Sequence, residues 1–204
     1  MKRMSWFFIV LALLGGLSFY FSQSKRKSTQ GDRIITATNQ GDTIPKKKDN
    51  ENVYNGLREM ALNISPGELQ LTMPDNQIKV YGILLDWHLG DGIATVICFL
   101  TGDASMYLSS GGGIIGAGKH EKVSRETKKL VENAQKYLDK AKKTDSTPLP
   151  DRNRVNFYFL TNKGKYFAAE NILNFENRSS AWLPLFEEFN SVITGLRENE
   201  ENNH

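Results

Sequence analysis

Residues 109–120, SSGGGIIGAGKH, combine the residue types of this sequence that are best suited to bind a ligand. Glycine is favoured where the chain takes a positive φ or where another group approaches the backbone closely. Exposed backbone amides, a lysine and the start of a following helix all favour an anion such as phosphate. The sequence therefore offers a candidate ligand-binding site, with these members: Gly111, Gly112, Gly113, Gly116, Gly118, Lys119 and His120.

Two nucleotide-binding motifs are partly present in this stretch. Gly111, Gly113 and Gly116 satisfy GxGxxG, and the phosphate-loop pattern is complete except for its last place, where His120 replaces Ser or Thr. Both motifs belong after a strand of a parallel sheet. The preceding segment has the short turns of an antiparallel sheet, so the favoured interpretation is that the glycines permit a bulge, a tight turn or close helix packing.

Other reactive side chains form weaker constellations. Asp86, His88 and Asp91 crowd one predicted hairpin, with Asp103 on the next turn, and offer oxygen and imidazole ligands for a metal. Asp-Gly and Gly-Asp are also ordinary hairpin turns, and the sequence has only three histidines. We therefore predict no metal site.

Nucleophilic catalysis is also not favoured. Ser109 and Ser110 lie near His120, but no G-x-S-x-G elbow is present. Cys98, the only cysteine, is flanked by apolar residues and is typical of a buried core position. The sequence predicts no catalytic residue and no cofactor, and it leans towards a protein that is not an enzyme.

The elements around the glycines predict an antiparallel sheet. Residues 78–88, 93–100 and 104–109 are rich in β-branched and aromatic residues and are separated by short turns. Such turns are too short for parallel crossovers, so the three strands form a meander. Residues 155–161 and 165–170 predict a hairpin.

Helical periodicity appears in three places. Apolar residues recur at helical spacing from Val53 to Ile64, across 121–143 and from about Ser180, and Ser65 and Glu68 have the spacing of a capping box. We therefore predict a single α+β domain: a five-stranded, largely antiparallel sheet with about three helices packed on it, preceded by one N-terminal transmembrane helix.

Charge is distributed unevenly along the chain. Residues 1–52 carry nine Lys and Arg against four Asp and Glu, a net charge of +5, whereas residues 53–204 carry 17 against 19, a net charge of −2. The basic character thus belongs to the N-terminal arm. The globular part has no basic bias of the kind that nucleic-acid binding requires, so no nucleic-acid partner is expected.

The N-terminal segment predicts a membrane anchor. Residues 6–21 carry no charge and are almost wholly apolar, at the short end of what spans about 30 Å of hydrocarbon. The competing prediction is a cleaved signal peptide, but the bulky, then basic exit SFYFSQSKRK favours an uncleaved signal-anchor. Basic residues flank both ends, so the sequence leaves open on which side of the membrane the domain lies.

Composition divides the chain into four parts. Residues 1–24 are the predicted single-pass anchor, and residues 25–52 are a polar segment expected to be a flexible tether. Residues 53–197 are the predicted globular domain, and 198–204 a polar tail.

Three strings resemble a group of uncharacterised bacterial proteins: GILLD in the first predicted strand, TGDAS at the second turn and SSGGGIIG in the glycine stretch. The resemblance covers most of residues 53–197 and implies a bacterial origin, but the group has no assigned activity and transfers no catalytic residue.

Together these features predict a membrane-tethered α+β module with a binding or assembly role. Its expected partners are the membrane, through residues 6–21, and a further protein. The alternative is a sensor or enzyme that binds a phosphate or nucleotide ligand at residues 109–120.

Overall fold

The computed structural model describes residues 46–116 and 120–201. They form an α+β fold with four α-helices and a seven-stranded sheet. The helices are α1 (Lys46–Asn63), α2 (Glu121–Ala134), α3 (Ile172–Glu176) and α4 (Leu183–Glu201). The strands are β1 (Val80–Leu89), β2 (Gly92–Phe99), β3 (Ala104–Leu108), β4 (Gly113–Ile114), β5 (Lys142–Thr144), β6 (Arg154–Thr161) and β7 (Gly164–Asn171).

The sheet has the strand order β4-β3-β2-β1-β6-β7-β5, and every neighbouring pair is antiparallel. The predicted meander is confirmed as β1, β2 and β3, and the predicted hairpin as β6 and β7. β1 is the central strand, with its Leu85 opposite Val96 of β2 and Phe157 of β6. Short turns fix the register of the consecutive strands, since connections of two residues (β1–β2, β6–β7) or four residues (β2–β3, β3–β4) can join only antiparallel neighbours.

The prediction of five strands is wrong, because the sheet has seven. The two additional strands, β4 and β5, lie at the two edges of the sheet. Each has only two or three residues, too few to show the alternation that marks a half-buried strand. They are held by hydrogen bonds to the open sides of β3 and β7, and the exposed lysines of β5 discourage pairing with another chain.

The prediction of about three helices is also wrong, because the described residues form four α-helices. The helix predicted over residues 121–143 ends at Ala134, continues as a 3-10 helix over Gln135–Lys140 and leads into β5. The unpredicted α3 is short, and its N-cap residue Asn171 accepts a hydrogen bond from the Leu173 amide at 2.9 Å. At the chain ends, α1 begins at Lys46, within the segment predicted as tether, and α4 extends to Glu201.

Helices pack against both sides of the sheet. On one side, called the apolar face, α2 and α4 cover inward-pointing side chains such as Leu85, Val96 and Phe157. On the other side, called the polar face, α1 and the segment that follows it cover Leu84, Ile97 and several tyrosines. The two sets alternate along each strand, as the pleat requires.

Membrane spanning was predicted only for the N-terminal segment. Within 46–116 and 120–201, none of the helices is both long and apolar enough to cross a bilayer. The predicted anchor, residues 1–24, lies outside the described residues.

Candidate functional site

A buried ion pair lies between α1 and the polar face. Arg58 donates to Oδ2 of Asp86 from Nη2 at 2.6 Å and from Nε at 2.9 Å. The Arg58 side chain is 9% exposed and the Asp86 side chain 0%. Asp86 stands on the central strand and Arg58 on the inner side of α1, so the pair fixes this helix above the middle of the sheet.

Asp86 belongs to a row of polar residues that crosses the strands. Its register partners are Thr95 on β2 and Asn156 on β6. The Thr95 hydroxyl donates to Oδ1 of Asp86, and the Tyr54 hydroxyl lies 2.7 Å from Oγ1 of Thr95. Both carboxylate oxygens therefore accept hydrogen bonds, which compensates for much of the cost of burying this charge.

The segment between β5 and β6 covers the ion pair from the side. Arg58 Nη2 also donates to the Thr147 carbonyl at 3.0 Å. The next carbonyl, that of Pro148, accepts from the Tyr158 hydroxyl and from Asn156 Nδ2 at 3.2 Å. The Arg58 guanidinium carbon lies 5.5 Å from the centre of the Tyr158 ring, within cation–π range. This cluster, called the Arg58–Asp86 network, thus joins α1, the sheet and the segment before β6.

Burial alters proton affinity within the network. It raises the pKa of the Asp86 carboxyl, while the hydrogen bonds and positive charge of Arg58 act in the opposite direction. Burial, with a contribution from the Asp86 charge, raises the pKa of Tyr158 to about 12 and raises the pKa of Tyr54 as well. Both tyrosines therefore stay protonated at neutral pH, and their hydroxyls act as hydrogen-bonding groups.

A general acid or base must reach the proton that it transfers. Asp86 is fully buried, and both its oxygens accept hydrogen bonds from Arg58 and Thr95. The chemistry that the network supports is therefore the positioning of α1.

The glycine stretch forms the edge hairpin between β3 and β4. The Gly111 amide donates to the Leu108 carbonyl at 2.9 Å, and the Leu108 amide donates to the Gly112 carbonyl at 3.1 Å. Gly111 and Gly112 have φ values of 101° and 88°. These two glycines therefore serve a tight reversal that L-residues adopt only with strain.

The next two glycines of the candidate site also have local roles. A Cβ at Gly113 would lie 2.3 Å from the backbone oxygen of Met106, so a side chain does not fit there. The Gly116 amide donates to Oγ of Ser105 at 3.1 Å. The amides of Gly111 and Gly116 thus donate to protein atoms.

The remaining members of the candidate site are only partly described. His120 is the N-cap residue of α2, and its side chain makes no capping hydrogen bond. Gly118 and Lys119 lie outside the described residues. The structure places Gly111, Gly112 and Gly113 in the β3–β4 hairpin and Gly116 two residues after it, and ligand binding at the site stays a prediction.

The weaker constellations do not form reactive sites among the residues that the structure describes. Asp86 is paired with Arg58, and no group of three His, Cys, Asp or Glu that could hold a metal occurs in 46–116 or 120–201. Ser109 Oγ accepts from the Ile93 amide at 2.8 Å, which holds the end of β3 against β2. Cys98 is fully buried, and burial raises the pKa of its thiol, so little of the reactive thiolate forms.

α1 leaves part of its surface uncovered. Its inner side is formed by Tyr54, Arg58 and Leu62, which are buried. Val53 and Met60 are instead 62% and 71% exposed, and a Cβ at Gly56 would have no atom within 4 Å. Spacings of three and four residues place Val53, Gly56 and Met60 on one side of the helix, called the α1 flank.

No protein-family model matches the chain, no curated protein matches it, and no solved structure matches it. The resemblance of residues 53–197 to a bacterial group therefore stays a prediction, and the site is argued from its contacts alone.

The apolar periodicity of the sequence does not mark Arg58 as part of a site. Arg58 falls between the apolar positions of the first helix, which run from Val53 to Ile64. One signal is present in the sequence: Asp86 directly follows the apolar run Ile83–Leu85 of the first predicted strand. A buried carboxylate requires a cation or several hydrogen-bond donors. Arg58 of α1 provides the cation.

Proposed function

We propose that this protein is a membrane-tethered binding or assembly module without enzymatic activity. The observation that carries this proposal is the α1 flank. A helix held rigidly by a buried ion pair presents two large apolar side chains, Val53 and Met60, to solvent. Exposed apolar side chains that lie together on one element are typical of protein-interaction surfaces.

The engagement of the reactive groups supports the absence of catalysis. Asp86 accepts from Arg58 and Thr95, and Cys98 is fully buried with a raised thiol pKa. Asp86 is thus held by its hydrogen bonds and Cys98 is shielded from solvent, and both side chains act as structural elements of the fold. The membrane part of the proposal rests on the apolar, uncharged segment 6–21.

Fractionation tests the tether. The full-length protein is expected in the membrane fraction, and a variant that lacks residues 1–24 is expected in the supernatant. A carbonate wash separates an inserted anchor from a peripheral association. Recovery of the intact full-length protein in the supernatant would contradict the tether.

The alternative function is binding of a phosphate or nucleotide ligand at residues 109–120. It is favoured by the backbone at Gly111 and Gly112, which takes the positive φ values common in anion-binding loops, and by the position of Lys119 just before α2. Thermal unfolding of the full-length protein in detergent, with a panel of nucleotides and phosphorylated metabolites, distinguishes the two functions. A ligand that stabilises the wild type and Lys129→Ala but not Lys119→Ala would replace the first proposal with the second.

A further inference from the structure

We infer that the α1 flank is the contact through which two copies of this chain associate, with their α1 helices antiparallel. The inference deepens the proposed binding or assembly role by naming its surface and its partner. It starts from the exposure of Val53 and Met60 and from the open space at Gly56.

The flank is complementary to itself. In an antiparallel pair related by a two-fold axis near Gly56, Val53 of one copy lies level with Met60 of the other, and the reverse contact is identical. A two-fold interface requires this reciprocity. If residue i of one copy contacts residue j of the other, then residue j of the first copy contacts residue i of the second. The flank therefore needs no second kind of surface to bury its two large side chains.

Gly56 lies at the crossing point of that pair. Glycine in the interior of an exposed helix costs stability relative to alanine, and no packing within the described fold explains it, since its Cβ position is open. Without a side chain at the crossing, two helix backbones approach closely, and Val53 and Met60 reach the partner helix.

Charge favours the antiparallel arrangement over the parallel one. α1 begins with Lys46, Lys47 and Lys48 and is followed by the Ser65–Glu68 capping box, in which Glu68 accepts from the Ser65 hydroxyl at 2.6 Å. These hydrogen bonds lower the pKa of Glu68, which stays ionised at neutral pH. Antiparallel pairing brings the three lysines level with the partner's Ser65–Glu68 turn and sets the helix dipoles in opposition, whereas parallel pairing brings like charges together.

One helix from each copy buries less area than a typical stable dimer interface, which is about 800 Å² per partner. The association is therefore weak in dilute solution. Confinement to a bilayer through residues 6–21 raises the effective concentration, so the dimer forms most fully in the membrane.

Disulfide formation between introduced cysteines tests this arrangement in the full-length protein, in the fraction where it is recovered. Under mild oxidation, Gly56→Cys is expected to yield a covalent dimer, because the two-fold axis brings both copies of this position together. Asn55→Cys is the matched control, exposed at the same height but on another side of α1. The buried Cys98 is expected to give no dimer in the parent protein.

A pair of variants tests the direction. Val53→Cys mixed with Met60→Cys is expected to yield a mixed disulfide, whereas each alone yields much less, since like positions lie about 10 Å apart along the axis. Adding Gly56→Leu to both is expected to reduce the mixed product about tenfold while leaving the thermal unfolding temperature equal to or above that of the parent, because leucine is the better helix former.

Equal cross-linking of Gly56→Cys and Asn55→Cys, or a mixed product insensitive to Gly56→Leu, would overturn the inference. Cross-linking of the flank to residues 1–45 of the same chain, seen as an intramolecular product with a cysteine introduced there, would also overturn it. Neither result affects the fractionation that tests the tether, so the two proposals fail separately.

Discussion

The apolar face and the polar face lie back to back on the same strands, yet they hold their helices by different chemistry. On the apolar face, ring contacts dominate: Phe157 stacks on Trp182 with centroids 5.5 Å apart, and Phe175 stacks on Phe186 at 4.4 Å. On the polar face, α1 is fixed by an ion pair and by directed hydrogen bonds. Dispersion and apolar burial tolerate small shifts, whereas an ion pair in which two Arg58 nitrogens donate to one carboxylate oxygen specifies one position.

The difference suggests separate roles for the two sides. α2 and α4 bury a continuous apolar core and provide most of the stability. α1 is a single helix placed by the Arg58–Asp86 network, and its outer surface carries the α1 flank. Most of the apolar core and the proposed binding surface thus reside on opposite faces.

The largest expected effect is on the apolar face. Phe157→Ala is expected to lower the free energy of unfolding by about 3–5 kcal/mol, because this fully buried ring contacts Trp182 and Phe189 and its loss leaves a cavity. The control is Phe167→Ala, a half-buried ring on the polar face 5.2 Å from Tyr158. Urea unfolding followed by circular dichroism measures both, and equal losses would remove the distinction between the faces.

The next largest effect is expected on the polar face, from the loss of the Arg58–Asp86 ion pair. Arg58→Met is expected to cost about 3 kcal/mol at neutral pH, because it leaves the Asp86 carboxylate buried without its cation. Arg125→Met is the control, since that side chain is 66% exposed and its Nε lies 3.9 Å from Glu126, and a change within about 1 kcal/mol is expected. The double variant Arg58→Met with Asp86→Leu is expected to recover most of the loss.

The loss in Arg58→Met is expected to depend on pH. Without the cation, burial raises the pKa of Asp86 further above its value in the unfolded chain, about 3.9. A carboxyl with a raised pKa in the folded state contributes its stability fully below the unfolded pKa, and this contribution is lost as the pH rises through the folded pKa. The deficit is therefore small near pH 4 and grows towards pH 7, and a constant deficit would show that Asp86 is not its cause.

The regular elements could be predicted because their side chains alternate over many residues. β1, β2, β6 and β7 each have eight or ten residues, and their turns are short. β4 and β5 could not, because a two-residue or three-residue strand is set by the open edge beside it rather than by its own pattern. The end of α2 at Ala134 is similarly a tertiary effect, since the chain turns there to add β5 to the sheet.

The site shows the same division between local pattern and distant contact. A turn role for Gly111 and Gly112 was the favoured interpretation of the sequence, and their positive φ values agree with it. The partnership of Arg58 with Asp86 spans 28 positions and has no periodic signature. Apolar spacing also predicts that α1 is a helix but does not predict which side of it is buried. Tyr54 and Arg58 are buried against the sheet, whereas Val53 and Met60 are exposed.

An intermediate effect is expected in the β3–β4 hairpin, at the edge of the sheet. Gly113→Ala is expected to cost about 2 kcal/mol, because its Cβ would meet the Met106 backbone oxygen at 2.3 Å and separate β4 from β3. Gly116→Ala is the matched control: its φ is 70° but its Cβ position is open, so about 1 kcal/mol is expected. Thermal unfolding of both variants measures the difference, and an equal loss would show that backbone conformation outweighs the close approach.

The smallest effect is expected at Tyr54, the outermost member of the Arg58–Asp86 network. Tyr54→Phe is expected to cost about 1 kcal/mol, because it removes the hydroxyl 2.7 Å from Thr95 while Thr95 still donates to Asp86. Tyr166→Phe on the apolar face is the control, with an expected change within about 0.5 kcal/mol. If the network on the polar face holds α1 in position, Tyr54→Phe also loosens this helix. Amide hydrogen exchange is then expected to become faster along residues 50–63 and to stay unchanged in α2. Equal exchange in both helices would mean that apolar packing, and not the network, holds α1 in place.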